Sequence, residues 1–399
     1  MEQQGYAKHA FDSDDAADVY VINTCSVTEN ADKECKQIVR RIQRKAPEAV
    51  VVITGCYAQL KPEEIATIPG VDLVLGAAEK FNLPKHIAAF TKGDATKICS
   101  CDIGDVHEFT SSYSEGDRTR TFLKVQDGCN YNCSFCTIPM ARGESRSDSV
   151  DNVLQNIAAI ASGNCKEIVL TGINLGDYYY TNTNDTKYNF YNLVQAIEAA
   201  NTGQMRFRIS SIEPNLLSDD IIELVAASKK FMPHFHIPLQ SGSNSILGLM
   251  RRRYRRELYA QRVAYIKRMM PHCCIGVDVI VGFPGETDAH FQETFDFLHS
   301  LDISYLHVFT YSERTNTLAE TMANPVPMNT RHERNKILRN LSYQKMQYFT
   351  QQHMGQSREV LWEKNAKGNA MEGYTDNYIR LETMYNAQKA GTVETYLIS

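Results

Sequence analysis

Apolar runs alternate with amphipathic stretches along most of the chain. Near the start, DVYVINTC (18–25) and VVVITGCYA (50–58) are apolar runs with a cysteine at or near their ends, and the helical stretch ENADKECKQIVRRIQRK (29–45) lies between them. Continuous Val/Ile runs between helices indicate a parallel sheet that is covered on both faces. The first hundred residues are therefore predicted to form an α/β domain.

Six further strand–helix units follow a polar, irregular stretch at 100–118, which is interpreted as a linker. The predicted strands are TFLKVQDG (121–128), KEIVLTGINL (166–175), RFRISSIEP (206–214), HFHIPLQSG (234–242), CIGVDVIVGFP (274–284) and SYLHVFTYS (304–312). Six consecutive βα units predict a barrel, or an open barrel, of parallel strands. In such a barrel the functional residues lie at the C-terminal ends of the strands.

The periodicity changes after about residue 350. REVLWE (358–363), YTDNYIRLE (374–382) and GTVETYLIS (391–399) read as short alternating strands broken by Gly and Asn. The predicted fold is therefore α/β, with three domains. They are an N-terminal parallel-sheet domain at 1–100, a partial (β/α)6 barrel at 115–350 and a small all-β domain at 351–399.

Composition places the chain among ordinary globular proteins, with 43% hydrophobic and 22% charged residues. No apolar run is long enough for a membrane span, and the polar start is unlike a signal peptide, so a cytoplasmic location is expected. The net charge is −5, yet basic residues are bunched at 36–45, 251–256 and 331–340. Such patches either steer a polyanion or are solvated helix faces.

Three of the 11 cysteines lie within GCNYNCSFCTIP (128–139), directly after the first predicted barrel strand. Structural zinc normally takes four protein ligands, and no His or further Cys lies nearby to complete such a site. Cys129, Cys133 and Cys136 instead suit a [4Fe–4S] cluster whose fourth iron stays open for a small molecule. An open iron can bind S-adenosylmethionine and pass one electron to it.

The same stretch carries a resemblance to a known family. Phe135 stands before Cys136 at the aromatic position usual in the radical S-adenosylmethionine superfamily, and GCNYNCSFCTIPMARGESRS (128–147) resembles its methylthiotransferase family. Similar motifs occur at NTC (23–25), GC (55–56), TGINLG (171–176) and VGFPGET (281–287). The resemblance covers essentially the whole chain and implies a cluster domain, a radical barrel and a TRAM-like RNA-binding β-domain.

The resemblance also implies an auxiliary [4Fe–4S] cluster on three cysteines of the N-terminal domain. Cys25 and Cys56 match the second and third of these ligands, while the strand that carries the first has no counterpart in this chain. We therefore expect a chain that is shortened by a few dozen residues relative to the family. The remaining cysteines are expected to be structural, because a thiol outside such a site packs as a small apolar group.

Residues for binding S-adenosylmethionine are expected at the strand ends. Gly172 in TGINLG permits a close backbone approach, and Asn174 is predicted to face inward. Asp278 stands where the superfamily often has Gly. Any of these polar groups could instead be a satisfied structural group. The predicted cofactor-binding residues are Phe135, Gly172, Asn174, Ser211, Glu213, Gln240 and Gly282.

The family divides among substrates, and RISSIEP (208–214), GCYAQLKP (55–62) and LGAAEKF (75–81) resemble the branch that acts on N6-threonylcarbamoyladenosine beside the tRNA anticodon. That base bears a carboxylate, so an arginine is a sensible partner. The candidates are Arg142, Arg208 and Arg253.

The resemblance implies that one S-adenosylmethionine is cleaved reductively and that the 5′-deoxyadenosyl radical takes hydrogen from C2 of the adenine. A methylated sulfur at the auxiliary cluster then joins C2, and a second S-adenosylmethionine supplies the methyl group. The expected partners are tRNA, with phosphate contacts from Lys364, Lys367 and Arg380, and an electron donor such as flavodoxin or ferredoxin. A monomer is expected.

Three alternatives stay open at this point. The same reaction on N6-isopentenyladenosine predicts an apolar pocket without arginine. Methylthiolation of a ribosomal-protein aspartate needs no tRNA. A catalytically impaired RNA-binding protein would bind tRNA without forming 5′-deoxyadenosine.

Overall fold

The computed structural model describes residues 1, 4–11, 13, 15–25, 29–114 and 119–399, with the backbone alone at 29–31 and 364–367. The chain divides into two compact units. The first unit comprises residues 1–108, 128–144 and 312–321, and the second comprises 109–127, 145–311 and 322–399. The predicted domain boundaries near 100, 115 and 350 stay predictions.

The first unit is built on a four-stranded parallel sheet in the order β1-β2-β3-β4. Val39 and Ile42 of the first helix pack with Val51 and Ile53 of the second strand in one buried cluster. The elements of this unit are β1 (Val19–Thr24), α1 (Glu29–Lys45), β2 (Val50–Gly55), α2 (Cys56–Leu60), α3 (Pro62–Ala66), β3 (Leu73–Leu75), α4 (Leu83–Ala88), β4 (Lys97–Cys99) and α5 (Ile138–Arg142). The predicted parallel sheet is confirmed.

The second unit contains the predicted barrel strands. They are β6 (Thr121–Lys124), β9 (Glu167–Thr171), β12 (Arg206–Ile209), β13 (His234–His236), β14 (Cys274–Val281) and β15 (Tyr305–Thr310). Parallel ladders join β6-β9-β12 and β13-β14-β15, and the bridge between Ser211 and His236 links the two sets. The partial barrel of six parallel strands is confirmed.

The barrel helices cover the outer face of these strands. Ser218, for example, caps one of them by accepting the N–H of Ile221 at 3.4 Å. The helices are α6 (Val150–Ala161), α7 (Phe190–Ala199), α8 (Asp219–Ala227), α9 (Asn244–Leu249), α10 (Arg256–Met269), α11 (Asp288–Ser300) and α12 (Met328–Gln351). Short strands also occur at β5 (Ser112–Tyr113), β7 (Gln126–Asp127), β8 (Arg146–Ser147), β10 (Tyr179–Thr181) and β11 (Lys187–Asn189). Among the described helices, none is both long and apolar enough to cross a membrane.

The C-terminal part of the second unit is a four-stranded antiparallel sheet in the order β18-β17-β16-β19 around the buried Trp362. The strands are β16 (Ser357–Lys367), β17 (Ala370–Thr375), β18 (Arg380–Met384) and β19 (Val393–Leu397). The single strand predicted at 374–382 is wrong. Thr375 and Ile379 close a turn there through hydrogen bonds of 2.8 and 3.0 Å, and Tyr378 has φ +68.

Candidate functional site

The three-cysteine loop lies in the first unit and is closed by its own backbone. The N–H of Cys129 donates to the carbonyl of Gly143 at 3.0 Å, and the N–H of Cys136 donates to Cys133 at 3.2 Å. Gly128 has φ +75, and a Cβ there would lie 1.9 Å from the carbonyl oxygen of Glu144. Only glycine therefore lets the two ends of the loop approach this closely.

Two backbone amides of the loop point at cysteine sulfurs. The N–H of Tyr131 donates to Sγ of Cys129, and the N–H of Ile138 donates to Sγ of Cys136, both at 3.4 Å. A hydrogen bond to sulfur favours the thiolate, which is the form that binds iron. Such bonds also tune the potential of an iron–sulfur cluster.

The loop fits a cluster better than a single metal ion. Cys129, Cys133 and Cys136 are all partly exposed, and none forms a disulfide. Within the described residues, no three His, Cys, Asp or Glu side chains converge to hold one ion. A [4Fe–4S] cluster does not need such convergence, because each cysteine binds a different iron. The thiols and their N–H···S bonds therefore fit a cubane cluster.

The predicted auxiliary ligands follow neighbouring strands of the first unit. Cys25 comes directly after β1 and is exposed, whereas Cys56 begins α2 after β2 and is buried. Gly55 precedes Cys56 with φ +100, and a Cβ there would lie 2.2 Å from the carbonyl oxygen of Thr24. Glycine therefore permits the close approach of the two strand ends. Thr24 and Gly55, the last residues of β1 and β2, are paired in the sheet. Cys25 and Cys56 therefore follow adjacent strand ends.

Several other cysteines are buried. Burial raises the pKa of Cys35 to about 11 and that of Cys274 to about 12, and it also raises the pKa of Cys273. A thiol with a raised pKa stays protonated at neutral pH and is a poor ligand. Cys99 ends β4, and β3 lies between β4 and β2 in the sheet, so Cys99 is two strands away from the strand that precedes Cys56. These placements agree with the structural role expected for Cys35, Cys273 and Cys274.

In the second unit, Asn174 lies in the turn after β9 with its amide unsatisfied. Its side chain is 4% exposed, and neither Oδ1 nor Nδ2 has a hydrogen-bond partner. A buried amide without a partner is costly, so such a group points to a ligand. A Cβ at Gly172 would lie 2.8 Å from Oε1 of Gln126, so glycine is needed here for packing, and its close approach to a cofactor stays a prediction.

Gln126 supports the turn that contains Asn174 and is absent from the residues predicted from the sequence. Its Oε1 accepts the N–H groups of Ile173 and Asn174 at 2.8 and 2.9 Å. Its Nε2 donates to the carbonyl of Asp127 and to Ser145 at 3.2 and 2.8 Å. The available signal was a glutamine at the end of an apolar strand, in TFLKVQDG.

Gln240 and Ser211 lie where the βα turns begin. Gln240 has φ +67, a conformation that a residue without glycine's freedom adopts at a cost. Its N–H donates to the carbonyl of Asp278 at 2.8 Å, and its own carbonyl accepts the N–H of Ile280 at 2.9 Å. Ser211 is half-buried and bridges to His236.

Glu213 and Gly282 already have protein partners. Glu213 forms an ion pair with Arg252, although burial raises its pKa. The N–H of Gly282 donates to Oε1 of Glu286 at 2.9 Å, and a Cβ at Gly282 would lie 2.3 Å from Cγ of Arg331. Gly282 is therefore needed for packing against Arg331. Its predicted contact with a cofactor stays a prediction.

The three candidate arginines differ in their surroundings. Arg142, at the end of α5 in the first unit, is half-buried, and Arg253 in the second unit is exposed. Arg208 is 2% exposed, and its Nε and Nη2 donate to the two carboxylate oxygens of Glu167 at 3.0 Å. It also donates to the carbonyl of Asp376 at 3.0 Å. The expectation that Arg208 binds substrate is corrected, because its guanidinium is committed to these contacts.

Two family models match parts of this chain. Residues 123–298 match the model of the radical SAM superfamily, and residues 1–76 match the uncharacterized protein family UPF0004. The threonylcarbamoyladenosine tRNA methylthiotransferase MtaB of Bacillus subtilis is 40% identical over 388 residues, which are 96% of this chain and 85% of that protein. The protein of the same name from Aquifex aeolicus is 40% identical over 385 residues, covering 95% and 90%.

The chain belongs to the radical S-adenosylmethionine methylthiotransferase family. The predicted family, fold class and kind of enzyme are confirmed. Membership implies a [4Fe–4S] cluster and S-adenosylmethionine.

A second kind of tRNA-modifying enzyme and a solved structure are also similar to this chain. The tRNA-2-methylthio-N(6)-dimethylallyladenosine synthase of Rickettsia akari is 31% identical over 365 residues, covering 88% of this chain and 81% of that one. The solved structure of the radical S-adenosylmethionine methyltransferase TsrM from Kitasatospora setae, with cobalamin and a [4Fe–4S] cluster bound, has a TM-score of 0.55 at 15% identity. It covers 76% of this chain and 65% of that chain, and it shows the fold alone.

Proposed function

We propose that this chain is a tRNA methylthiotransferase that replaces the hydrogen at C2 of N6-threonylcarbamoyladenosine, beside the anticodon, by a methylthio group. The observation that carries the proposal is the 40% identity, over 96% of the chain, to a relative named for this activity. The amide-supported thiols of the 128–144 loop and the unsatisfied amide of Asn174 support it.

Cys129, Cys133 and Cys136 would hold the radical cluster. The cluster supplies one-electron reduction of S-adenosylmethionine when both are bound. Within the protein, the N–H groups of Tyr131 and Ile138 donate to two of these sulfurs, which favours their anionic form. Phe135, between two of the ligands, is partly exposed and is proposed to contact the cofactor.

The turn after β9 is proposed to bind the polar end of S-adenosylmethionine. Gln126 fixes the backbone of this turn through two accepted N–H groups, and the Asn174 amide would gain the partner that it lacks in the protein. Ser211 and Gln240 are proposed to contribute at the following strand ends. Glu213 and Gly282 are proposed to act mainly by shaping the pocket, since both have protein partners.

Cys25 and Cys56 are proposed as ligands of the auxiliary cluster, which is the source of the sulfur. They follow adjacent strand ends in the first unit. Arg142 and Arg253 stay as proposed contacts for the substrate or its phosphates.

The remaining partners are inferred from the same family. The tRNA would contact the C-terminal sheet, where Arg380 is exposed and pairs with Glu372 at 2.6 Å. The side chains of Lys364 and Lys367 lie outside the described residues. A flavodoxin or ferredoxin is proposed as electron donor, and a monomeric, cytoplasmic enzyme is proposed.

A competition experiment tests the substrate. The reconstituted protein is given anaerobic reductant, S-adenosylmethionine and equal amounts of two anticodon stem–loop RNAs, one with N6-threonylcarbamoyladenosine and one with N6-isopentenyladenosine. Mass spectrometry of the digested RNAs should find the methylthio group mainly on the threonylcarbamoyl base. A preference for the isopentenyl base would overturn the proposal in favour of the activity that names the Rickettsia akari relative.

Two controls address the remaining alternatives. Methylthiolation of a ribosomal-protein aspartate, with neither RNA modified, would contradict the proposal. RNA binding without formation of 5′-deoxyadenosine would also contradict it, and would identify a binding protein. A Cys133→Ser variant run in parallel should give neither modified RNA nor 5′-deoxyadenosine.

A further inference from the structure

Three polar side chains on adjacent strands of the second unit form a cluster to which no function has been assigned above. Nε2 of His236, on β13, lies 2.9 Å from Oδ1 of Asp278, on β14. His307, on β15, stands in register with Asp278, and its ring meets that of His236 edge to face at 5.2 Å between centroids. We call His236, Asp278 and His307 the imidazole cluster.

The imidazole cluster lies on the inner face of the barrel. Val277 and Val279, on either side of Asp278, are buried in the core beneath the helices. Alternate residues of a strand point to opposite faces, so Asp278 points away from the helices. The same argument applies to His236, because Phe235 and Ile237 are buried in that core.

Below the imidazole cluster, toward the N-terminal strand ends, the barrel interior is filled. Glu167 and Arg208 form a bidentate pair that is 0% and 2% exposed. His234 is 6% exposed, and its Nε2 lies 3.0 Å from the hydroxyl of Tyr305. Gly276 leaves room for the Tyr305 ring, because a Cβ there would lie 2.3 Å from it. These side chains form a packed layer inside the barrel.

The imidazole cluster is therefore the floor that a ligand inside the barrel would meet. The side chains of His236 and Asp278 are 15% and 23% exposed, and His307 is exposed. Among the described residues, Oδ2 of Asp278 accepts no hydrogen bond and the ring of His307 makes none. The floor thus offers one carboxylate oxygen as an acceptor and one imidazole ring, in addition to the contact between His236 and Asp278.

The chemistry of this floor suits a polar substituent. Partial desolvation of the ring and the neighbouring His236 lower the pKa of His307, so the neutral form predominates at pH 7 and can both donate and accept. Half-buried hydrogen-bonding groups reject a ligand that leaves them without partners. An N6-threonylcarbamoyl group carries N–H, hydroxyl and carboxylate groups, whereas an isopentenyl group carries none.

We infer that the imidazole cluster is the subsite that binds the polar N6 substituent of the substrate adenosine. His307 donates to an oxygen of the substituent, and Asp278 accepts one of its N–H or O–H groups. His236 is a positioning residue, which holds Asp278 through their 2.9 Å contact. The inference rests on the proposed function and explains how that function selects its base.

Binding and turnover together test this subsite. The variants are His307→Phe, which keeps a flat ring against Tyr305, and Asp278→Asn, which keeps the shape of the side chain. The matched controls are His107→Phe and Asp220→Asn, at exposed positions outside the barrel interior. Affinity is measured for anticodon stem–loop RNAs carrying adenosine, N6-threonylcarbamoyladenosine or N6-isopentenyladenosine, alongside iron content and methylthiolation.

We expect the wild-type protein to bind the threonylcarbamoyl RNA at least about tenfold tighter than the adenosine RNA, since two hydrogen bonds are gained. His307→Phe and Asp278→Asn should lose this preference, while iron content and affinity for the adenosine RNA stay within about twofold. The kcat/KM for the threonylcarbamoyl RNA should fall about 10- to 100-fold in both variants. The controls should behave like wild type.

The outcomes of this experiment distinguish failure of the subsite inference from failure of the proposed function. If wild type methylthiolates the threonylcarbamoyl RNA and both variants keep its selectivity, the subsite inference is wrong. If the variants lose iron or bind all three RNAs poorly, the residues are structural and the inference is also wrong. If wild type fails on the threonylcarbamoyl RNA but modifies another base, the proposed function has failed.

Discussion

Gln126 accepts the backbone N–H of Asn174 at 2.9 Å and thereby fixes a turn whose own side-chain amide is unsatisfied. Gln126 is 0% exposed and holds the backbone of the turn. Asn174 is left with two side-chain polar atoms that have no hydrogen-bond partner. Evolution of a stable fold alone would not keep such an arrangement, because an apolar residue would cost less. The pair therefore supports the binding site proposed for S-adenosylmethionine.

Asn174 gives the first prediction. Asn174→Leu should leave the free energy of unfolding unchanged or raise it by about 1 kcal/mol, since the unsatisfied amide is removed. The affinity for S-adenosylmethionine should fall at least about tenfold. Urea unfolding and equilibrium dialysis provide the two measurements.

Asn152→Leu is the matched control, because the Nδ2 of Asn152 donates to both oxygens of Asp148 at 2.8 and 3.0 Å. This control should destabilise the protein and leave the affinity for S-adenosylmethionine unchanged. Equal destabilisation by the two variants would show that Asn174 is an ordinary structural amide.

The second prediction concerns iron. Replacing Cys129 by Ser should lower the iron content of the anaerobically reconstituted protein by about four atoms per chain and abolish 5′-deoxyadenosine. Replacing Cys25 by Ser should also lower iron, but cleavage of S-adenosylmethionine should persist, because a different cluster is affected. Cys101→Ser, at an exposed position, is the control and should lose no iron. Retention of full iron by Cys25→Ser would argue against its role as a ligand.

The third prediction tests the structural role given to Arg208. Arg208→Met should lower the free energy of unfolding by about 3 kcal/mol, because Glu167 loses its bidentate partner inside the barrel and keeps only Arg120 and Arg206. Arg380→Met removes an exposed partner of Glu372 and should cost about 1 kcal/mol or less. Urea unfolding compares the two variants, and similar values for both would contradict the burial argument.

The fourth prediction follows from the titration of Glu167. Burial alone would raise its pKa, but the charges of Arg208 and Arg206 outweigh burial and bring the pKa to about 2. A folded pKa below the unfolded one contributes stability above about pH 4.5, and this contribution is lost as the pH falls toward 2. The stability difference between wild type and Glu167→Gln should therefore shrink between pH 6 and pH 3. A difference that grows on acidification would refute the assigned direction.

The sequence predicted the barrel well, because its strands are long apolar runs between amphipathic helices. It failed at 374–382, where YTDNYIRLE alternates like one strand but folds as a turn stabilised by Thr375. Asp376 and Asn377 are residues typical of turns, but the alternating pattern on either side of them hides this signal, and the positive φ of Tyr378 has no sequence signal of its own.

The site was only partly predictable for a similar reason. The cysteine spacing is local and was read directly, whereas Gln126 acts on Asn174 across 48 residues of sequence. Arg208 is a sequence-based candidate for substrate binding because the expected base bears a carboxylate, which an arginine can bind. Its partner Glu167 lies 41 residues away on the neighbouring strand, a pairing that only the sheet register reveals.

The most direct test of the central claim is nucleoside analysis of tRNA from a bacterial strain that lacks its own threonylcarbamoyladenosine methylthiotransferase and expresses this chain. We predict that the 2-methylthio derivative of N6-threonylcarbamoyladenosine appears with the wild-type chain and is absent with Cys133→Ser. Persistence of unmodified N6-threonylcarbamoyladenosine, with a wild-type chain that is folded and loaded with iron, would contradict the account.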